Sequence, residues 1–509
     1  MDRRSLLLGS FALCGLPALS GRSLGASTLR LKDDPFSLGV ASGDPSSDGM
    51  VLWTRLAPDP LNGGGMPNAP VDVVWELAAD EAFRRIVRRG RAMALPEWGH
   101  SVHVEVDGLQ PDRWFWYRFR VGGDVSPTGR TRTLPAPGAD ARRWRFAFAS
   151  CQHFETGLYT AYSHMSREDL DLVFFLGDYI YEGPGRDTQI RKHTGPELMT
   201  IADYRNRLAQ YKTDPRLQAA HAAFPWVMTW DDHEVDNNYA NDIQEAGMPR
   251  EEFLARRAAA YQAYYEHMPL RRTSVPRGPH MPLYRGFSWG TLASVFVLDT
   301  RQYRTDQPCN DGTKAPCEGT FDPAATLMGQ EQERWLHDGL ERSQTRWNIL
   351  PQQIMVARMN QSATADARYS MDQWPGYEAE RRRLLARVAA RPQANHVVLT
   401  GDIHSSWVND LQVNSEDEKS AVVATELVGT SITSGGDGVA MPDRLKTVMA
   451  NNPFLKFYNG QRGYVSCKLT PDRLTASFEG VDYVAKPGAP KVTRARFVIE
   501  NGRPGAQRL

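Results

Sequence analysis

Phe174-Phe175-Leu176-Gly177-Asp178-Tyr179-Ile180-Tyr181-Glu182 is an apolar run that stops abruptly at Gly-Asp, with a phenol three residues beyond the carboxylate. A buried strand ending there sets Asp178 on a tight loop at the carboxyl edge of a sheet, because glycine lets the backbone turn without a Cβ clash. That edge is where open α/β sheets bind ligands. The same pattern recurs along the chain. Arg145–Ala149 runs into Ser150-Cys151-Gln152-His153, and Trp226–Thr229 into Trp230-Asp231-Asp232-His233-Glu234-Val235-Asp236-Asn237-Asn238. His396–Leu399 runs into Thr400-Gly401-Asp402-Ile403-His404. Residues this far apart in sequence meet only if their strands share an edge, so the reading places all four strand ends at one sheet edge.

Carboxylates, imidazoles, a thiol and a phenol gathered in one place are metal-ligand chemistry. The spacing Asp402-x-His404 lets alternating side chains reach neighbouring ions, and the two oxygens of Asp178 suit a bridge. Two such ions clamp the attacking and leaving oxygens of an in-line displacement. The anionic donors Cys151 and Tyr181 suit Fe3+, while all-oxygen surroundings suit Ca2+, Mg2+ or Mn2+. Each residue has a plainer alternative: Cys151 as buried filler, Asp178 as a turn former, Tyr181 and His233 as packing. The run Asp231-Asp232-His233-Glu234 is too polar to bury without a task.

The rest of the chain supplies the setting. At 509 residues it exceeds one ordinary core, and Lys+Arg equals Asp+Glu at 60 each, a formal net charge of zero. That balance gives no electrostatic reason to expect a nucleic-acid or anionic-membrane partner. No interior stretch is long and apolar enough to span a membrane. Arg3-Arg4 before the apolar run Leu6–Leu13 reads as a twin-arginine export signal over residues 1–26. The expected partner is the twin-arginine translocation machinery, and the expected location is periplasmic or secreted. Residues 35–135 alternate in period two between turn residues, and Gly108-Leu109-Gln110-Pro111 with Tyr117 resembles the tyrosine corner of fibronectin/Ig-like sandwiches. A small all-β N-terminal domain is expected there. After the linker Thr133–Ala139, residues 141–500 alternate strands with helices over Pro196–Leu208, Glu251–Tyr265, Gln330–Arg342 and Glu378–Ala390. The fold class is α/β, a layered β-sandwich core flanked by helices. Residues 420–500 return to strands around the glycine-rich Ser431-Ile432-Thr433-Ser434-Gly435-Gly436-Asp437-Gly438. Cys309 and Cys317 are spaced for a small disulfide in an oxidising compartment.

The chain resembles the PhoD-like alkaline phosphatase/phosphodiesterase family of calcineurin-like metallophosphoesterases. The resemblance lies in Val40-Ala41-Ser42-Gly43-Asp44-Pro45, Leu52-Trp53-Thr54-Arg55, Ser150-Cys151-Gln152 and Gly177–Glu182. It continues through Trp230–Val235, Leu298-Asp299-Thr300-Arg301, Thr400–His404 and Gly429-Thr430-Ser431. It implies an Fe3+ plus Ca2+ centre. Cys151, Asp178, Tyr181 and His404 would fall at the iron. Asp178 would bridge toward calcium, with Asp231 or Asp232, Asn238 and Asp402 supplying oxygens. Spacing alone does not choose among Asp231, Asp232 and Asn238. His233 falls where the superfamily stabilises the leaving group; Arg301 and Arg358 are candidate phosphate contacts, with a surface or salt-bridge role the favoured reading for each. The implied activity is hydrolysis of phosphomonoesters by an ion-bound hydroxide, on small-molecule or polymer substrates. Phosphodiesters are the alternative substrate; a thiol hydrolase built on Cys151 and a non-catalytic, metal-stabilised surface binding protein are the alternatives from other classes.

Overall fold

The computed structural model describes residue 31 and residues 33–362, 364, 366–391, 393–414, 417 and 419–509; the expected signal segment 1–26 lies outside them. Two sheets pack face to face. In the first, Trp144–Ala149, Leu172–Leu176 and Pro225–Thr229 run parallel side by side at the centre. In the second, Ala293–Val297, Trp347–Pro351, Asn395–Thr400 and Val422–Val428 do the same. Alternation inside Leu172–Leu176 explains the layering. Leu172, Phe174 and Leu176 join the core between the sheets, with Trp144, Phe146, Trp347, Ile349, Val397 and Leu427. Val173 and Phe175 turn the other way, onto helices Ile201–Lys212, Pro215–Ala223 and Arg250–His267. A strand buried on both faces must be apolar throughout, which is why this run shows no polar alternation. Helices Gly329–Arg342 and Glu378–Ala389 cover the outer face of the second sheet.

The structure corrects the expectation of one shared edge. Cys151, Asp178 and Asp231 follow strands of the first sheet, whereas Asp402 and His404 follow Asn395–Thr400 in the second. They meet because both sheets present their carboxyl ends on the same side. A bridge between Ser150 and Ser431 and the hydrogen bond from Ile432 N to Ser150 O, 3.0 Å, pin the sheets together there.

The N-terminal sandwich also differs in its joinery. Val71–Ala78, Ile86–Ala94, Trp114–Val121, Asp124–Val125 and Gly129–Arg132 form a separate sheet. The opposing layer, Val40–Gly43, Met50–Arg55 and Ser101–Val106, is the outer end of the ten-stranded catalytic sheet. Val40–Gly43 pairs in parallel with Pro225–Thr229. The expected helix Pro196–Leu208 begins only at Ile201, because Thr200 and Asp203 form a capping box. Helix Pro215–Ala223 was not expected, although Asp214 as N-cap and a proline at the first turn announce it. Cys309 and Cys317 are disulfide-bonded. No helix among the described residues is long and apolar enough to cross a membrane.

Candidate metal centre

Five predicted site residues hold left-handed backbone conformations: Cys151 (φ 58°), Asp178 (58°), Asn238 (48°), Asp402 (60°) and His404 (55°). For a residue with a Cβ this conformation costs about 1 kcal/mol or more, and it persists where the surroundings impose it. Each strand thus ends in a sharp turn that swings its side chain into the space between the sheets. Gly177 permits the closest approach: a Cβ there would lie 2.5 Å from Asp231 N.

The side chains converge. Ligand atoms of Cys151, Asp178 and His404 all lie within 4.8 Å of one another, as do those of Asp178, Asp232 and His233 and those of Asp231, Asp232 and Asp402. Tyr181 joins the first group: its hydroxyl donates to Asp178 Oδ2 at 2.8 Å and lies 3.2 Å from His404 Nε2. The Asn238 backbone N–H donates to Asp232 Oδ2 at 2.8 Å, and its side chain donates to Asp311 Oδ2 at 3.2 Å. Asp178 and Asp232 each belong to two of these groups and link them, and the set has the reach to hold two ions side by side.

Electrostatics makes the same point. Asp178, Asp231, Asp232 and Asp402 crowd together, the first three almost fully buried. Arg301 is the cation set among them, and it divides itself between Asp231 Oδ1, 2.5 Å, and Asp372, 2.8 Å from each terminal nitrogen. Burial, with the neighbouring acids, raises the Asp231 carboxyl well above the usual range and lifts Asp402 to about 7. Burial acts against charge on Asp232 too, but Arg301 and His233 pull its pKa below normal. Asp178 Oδ1, Asp231 Oδ2 and Asp232 Oδ1 are buried without a hydrogen-bond partner. Buried carboxylate oxygens are almost always satisfied, so three orphans within this cluster of acids mark positions for cations.

His233, a member of the group with Asp178 and Asp232, has further partners of its own. Its Nδ1 meets Glu182 Oε2 at 2.7 Å, and its ring packs on Tyr181 at 4.1 Å. Burial disfavours charge on the ring, yet Glu182, Asp232 and Asp178 together raise its pKa well above normal. The imidazole is held beside the cluster with these carboxylates favouring its protonated form. Glu182 and Glu234 had no assigned role in the sequence reading. Glu234 accepts from Tyr179 N at 2.5 Å and from Asp231 N at 2.9 Å, tying together the two loops that carry Asp178 and Asp231. Both lie inside the quoted motifs, which gave them a place but no partner.

At three residues the structure chooses between the readings left open. Arg301 takes the salt-bridge role and no phosphate-facing one: it is fully buried among carboxylates. Arg358 is likewise buried, 3.7 Å from Glu378 and stacked over Tyr369. The Cys151 thiol donates to Ser150 Oγ at 3.1 Å, with no bond to His153, and burial together with Asp178 pushes its pKa well above normal. A nucleophilic thiol needs the opposite environment.

Comparison with known proteins bears on this arrangement. The model of the PhoD-like phosphatase family matches residues 146–478, and that of the PhoD-like phosphatase N-terminal domain matches residues 23–135. Alkaline phosphatase D of Bacillus subtilis (strain 168) is 52% identical over the whole chain and 89% of its own length. The chain belongs to the PhoD-like phosphatase family. It is a phosphoester hydrolase. The solved structure described as "Structure of PhoD" superposes with a TM-score of 0.93 at 54% identity, covering 94% of this chain and 93% of that one. Purple acid phosphatase 23 of Arabidopsis thaliana is similar over a short stretch, 33% identical across 84 residues or 16% of the chain.

Proposed function

We propose that this PhoD-like phosphatase is an exported, metal-dependent enzyme that hydrolyses phosphomonoesters at an Fe3+ and Ca2+ pair, with phosphodiester hydrolysis as the alternative reading. The observation that carries the reading is the trio of orphaned, buried carboxylate oxygens on Asp178, Asp231 and Asp232. Cys151, Tyr181, Asp178 and His404 would hold the iron, and Asp178, Asp231, Asp232, Asn238 and Asp402 would surround calcium. When bound, such a pair supplies Lewis acidity toward the phosphoryl oxygens and an activated water for in-line attack. The chain supplies the rest. Glu182 fixes the His233 ring and stabilises its charge, so that the imidazolium can give its proton to the departing alkoxide. Arg301 and Asp372 hold Asp231 in place, and Glu234 holds the loops of Asp178 and Asp231 at a fixed separation.

Export rests on Arg3-Arg4 and the short apolar run after them, which fit a twin-arginine signal. A bonded Cys309–Cys317 pair suits an oxidising, periplasmic or extracellular location. The test is metal content and visible spectrum of the purified mature protein, with hydrolysis of a chromogenic phosphomonoester and diester before and after chelation. The expected result is bound iron and calcium, a phenolate-to-iron absorption band, and turnover that chelator abolishes and metal restores. Colourless protein that stays active in chelator would overturn the reading.

A further inference from the structure

The glycine-rich segment Ser431–Gly438 lies outside the ligand set, yet it reaches the same centre. Ser434 is fully buried, and its hydroxyl oxygen lies 2.7 Å from the Tyr181 phenol oxygen. The loop is built to hold it there. Ser431 Oγ donates to the Ser434 carbonyl at 2.7 Å, and the Arg462 guanidinium donates to the same carbonyl at 2.6 Å. Arg462 also donates to His404 O at 2.8 Å, which locks the loop to another candidate ligand. Gly435 and Gly436, at φ 87° and 69°, then turn the chain away.

A serine hydroxyl has one proton to give. The Ser434 oxygen accepts the backbone N–H of His153 at 3.1 Å. Its own proton has two acceptors in reach, Cys151 O at 2.7 Å and the Tyr181 oxygen at 2.7 Å. With the phenol protonated and donating to Asp178, Cys151 O is the better acceptor. A phenolate reverses that choice, since a hydrogen bond to a charged oxygen is roughly twice as strong as a neutral one. Cys151 O is not abandoned by the switch: the backbone N–H of Ser434 still donates to it at 3.2 Å.

The geometry points to Ser434 as a positioning residue whose hydroxyl donates to the Tyr181 phenolate and so sets the electron donation of that ligand. This rests on the iron reading above. Hydrogen bonds to a ligand atom lower its donor strength, and with it they raise both the charge-transfer energy and the reduction potential of the metal. The loop therefore holds the iron less firmly ferric than an unbonded phenolate would.

The test compares wild-type protein with Ser434→Ala as purified, reading iron content, the phenolate-to-iron band and the midpoint potential. The expected result is unchanged iron content, a band moved to longer wavelength and a more negative potential. Ser434→Thr and Ser434→Val share a shape and differ in the donor, so they test the point if the alanine variant does not fold: valine should show the same displacement and threonine should not. Ser431→Ala disturbs the loop but keeps the Ser434 hydroxyl, and should leave the band in place. Identical spectra and potentials in wild-type, alanine and valine proteins overturn the assignment while leaving the iron reading standing. A wild-type protein with no such band overturns the iron reading and this assignment with it.

Discussion

Burial disfavours charge on the His233 ring, while its acidic neighbours Glu182, Asp232 and Asp178 favour it, and Glu182 holds the ring through Nδ1. Replacement by asparagine keeps a polar group of similar reach but no transferable proton. General acid assistance is worth roughly 10²–10⁴-fold, so His233→Asn should lose about that much kcat/KM on alkyl phosphates. The loss should be far smaller on a nitrophenyl ester, whose phenolate leaves unaided. Equal losses on both esters would assign His233 to metal or phosphate binding instead. Lys212 is the opposite case, an amine buried against the rings of Trp53 (4.3 Å) and Tyr179 (5.3 Å). Burial lowers its pKa from 10.5 to about 7. Between those values the unfolded chain binds the extra proton, so stability climbs with pH across that window, and the full penalty stands below it. Lys212→Met should raise the Tm at pH 7 by removing a cost on the order of a few kcal/mol. The gain should shrink toward pH 10, and a pH-independent gain would mean that packing, not charge, is responsible.

At the level of the strand and its terminal loop, Gly177 is the tightest point in the centre. Its φ of 109° disfavours any side chain, and a Cβ would collide with the Asp231 backbone at 2.5 Å. Gly177→Ala should therefore move the Asp178 and Asp231 loops apart and lower metal content and activity together. Full metal occupancy with normal turnover would show that the loops can yield. These strand ends were legible in the sequence because their signal is local: an apolar run, a glycine, then a ligand-type residue. The expected strand Leu172–Leu176 matches its observed bounds, and Trp226–Thr229 begins one residue late. What was not legible is long-range. Nothing near Asp402 says that its strand belongs to a second sheet, since an apolar run buried on both faces looks the same in either. Glu182 and Glu234 belong to the quoted motifs, but their partners, His233 Nδ1 and the Asp231 and Tyr179 amides, are visible only once the fold is known. For Arg301 the favoured salt-bridge reading holds, but its partners Asp231 and Asp372 lie 70 and 71 residues away and could not be named from the sequence.

Across the whole molecule, the N-terminal segment reads as a detachable sandwich, yet it completes the catalytic sheet. Val40–Gly43 covers the edge of Pro225–Thr229, the strand that delivers Asp231 and Asp232. Trp53 donates its indole N–H to Glu266 O at 2.9 Å, and Arg55 bonds both Gly99 O and His267 within the same interface. Removing residues before 136 would expose that strand edge and leave buried polar groups on helix Arg250–His267 without partners. An open, apolar strand edge is a template for aggregation, and unsatisfied buried groups cost about 1–3 kcal/mol each. The fragment 136–509 should therefore be insoluble or lack cooperative unfolding when expressed alone, while the full chain should unfold in one transition by circular dichroism. Loss of Asp231 positioning should accompany it, so any soluble fraction should bind less metal than the intact chain. A soluble, monomeric fragment with a sharp transition and normal metal content would show that the catalytic layers close without their N-terminal strands.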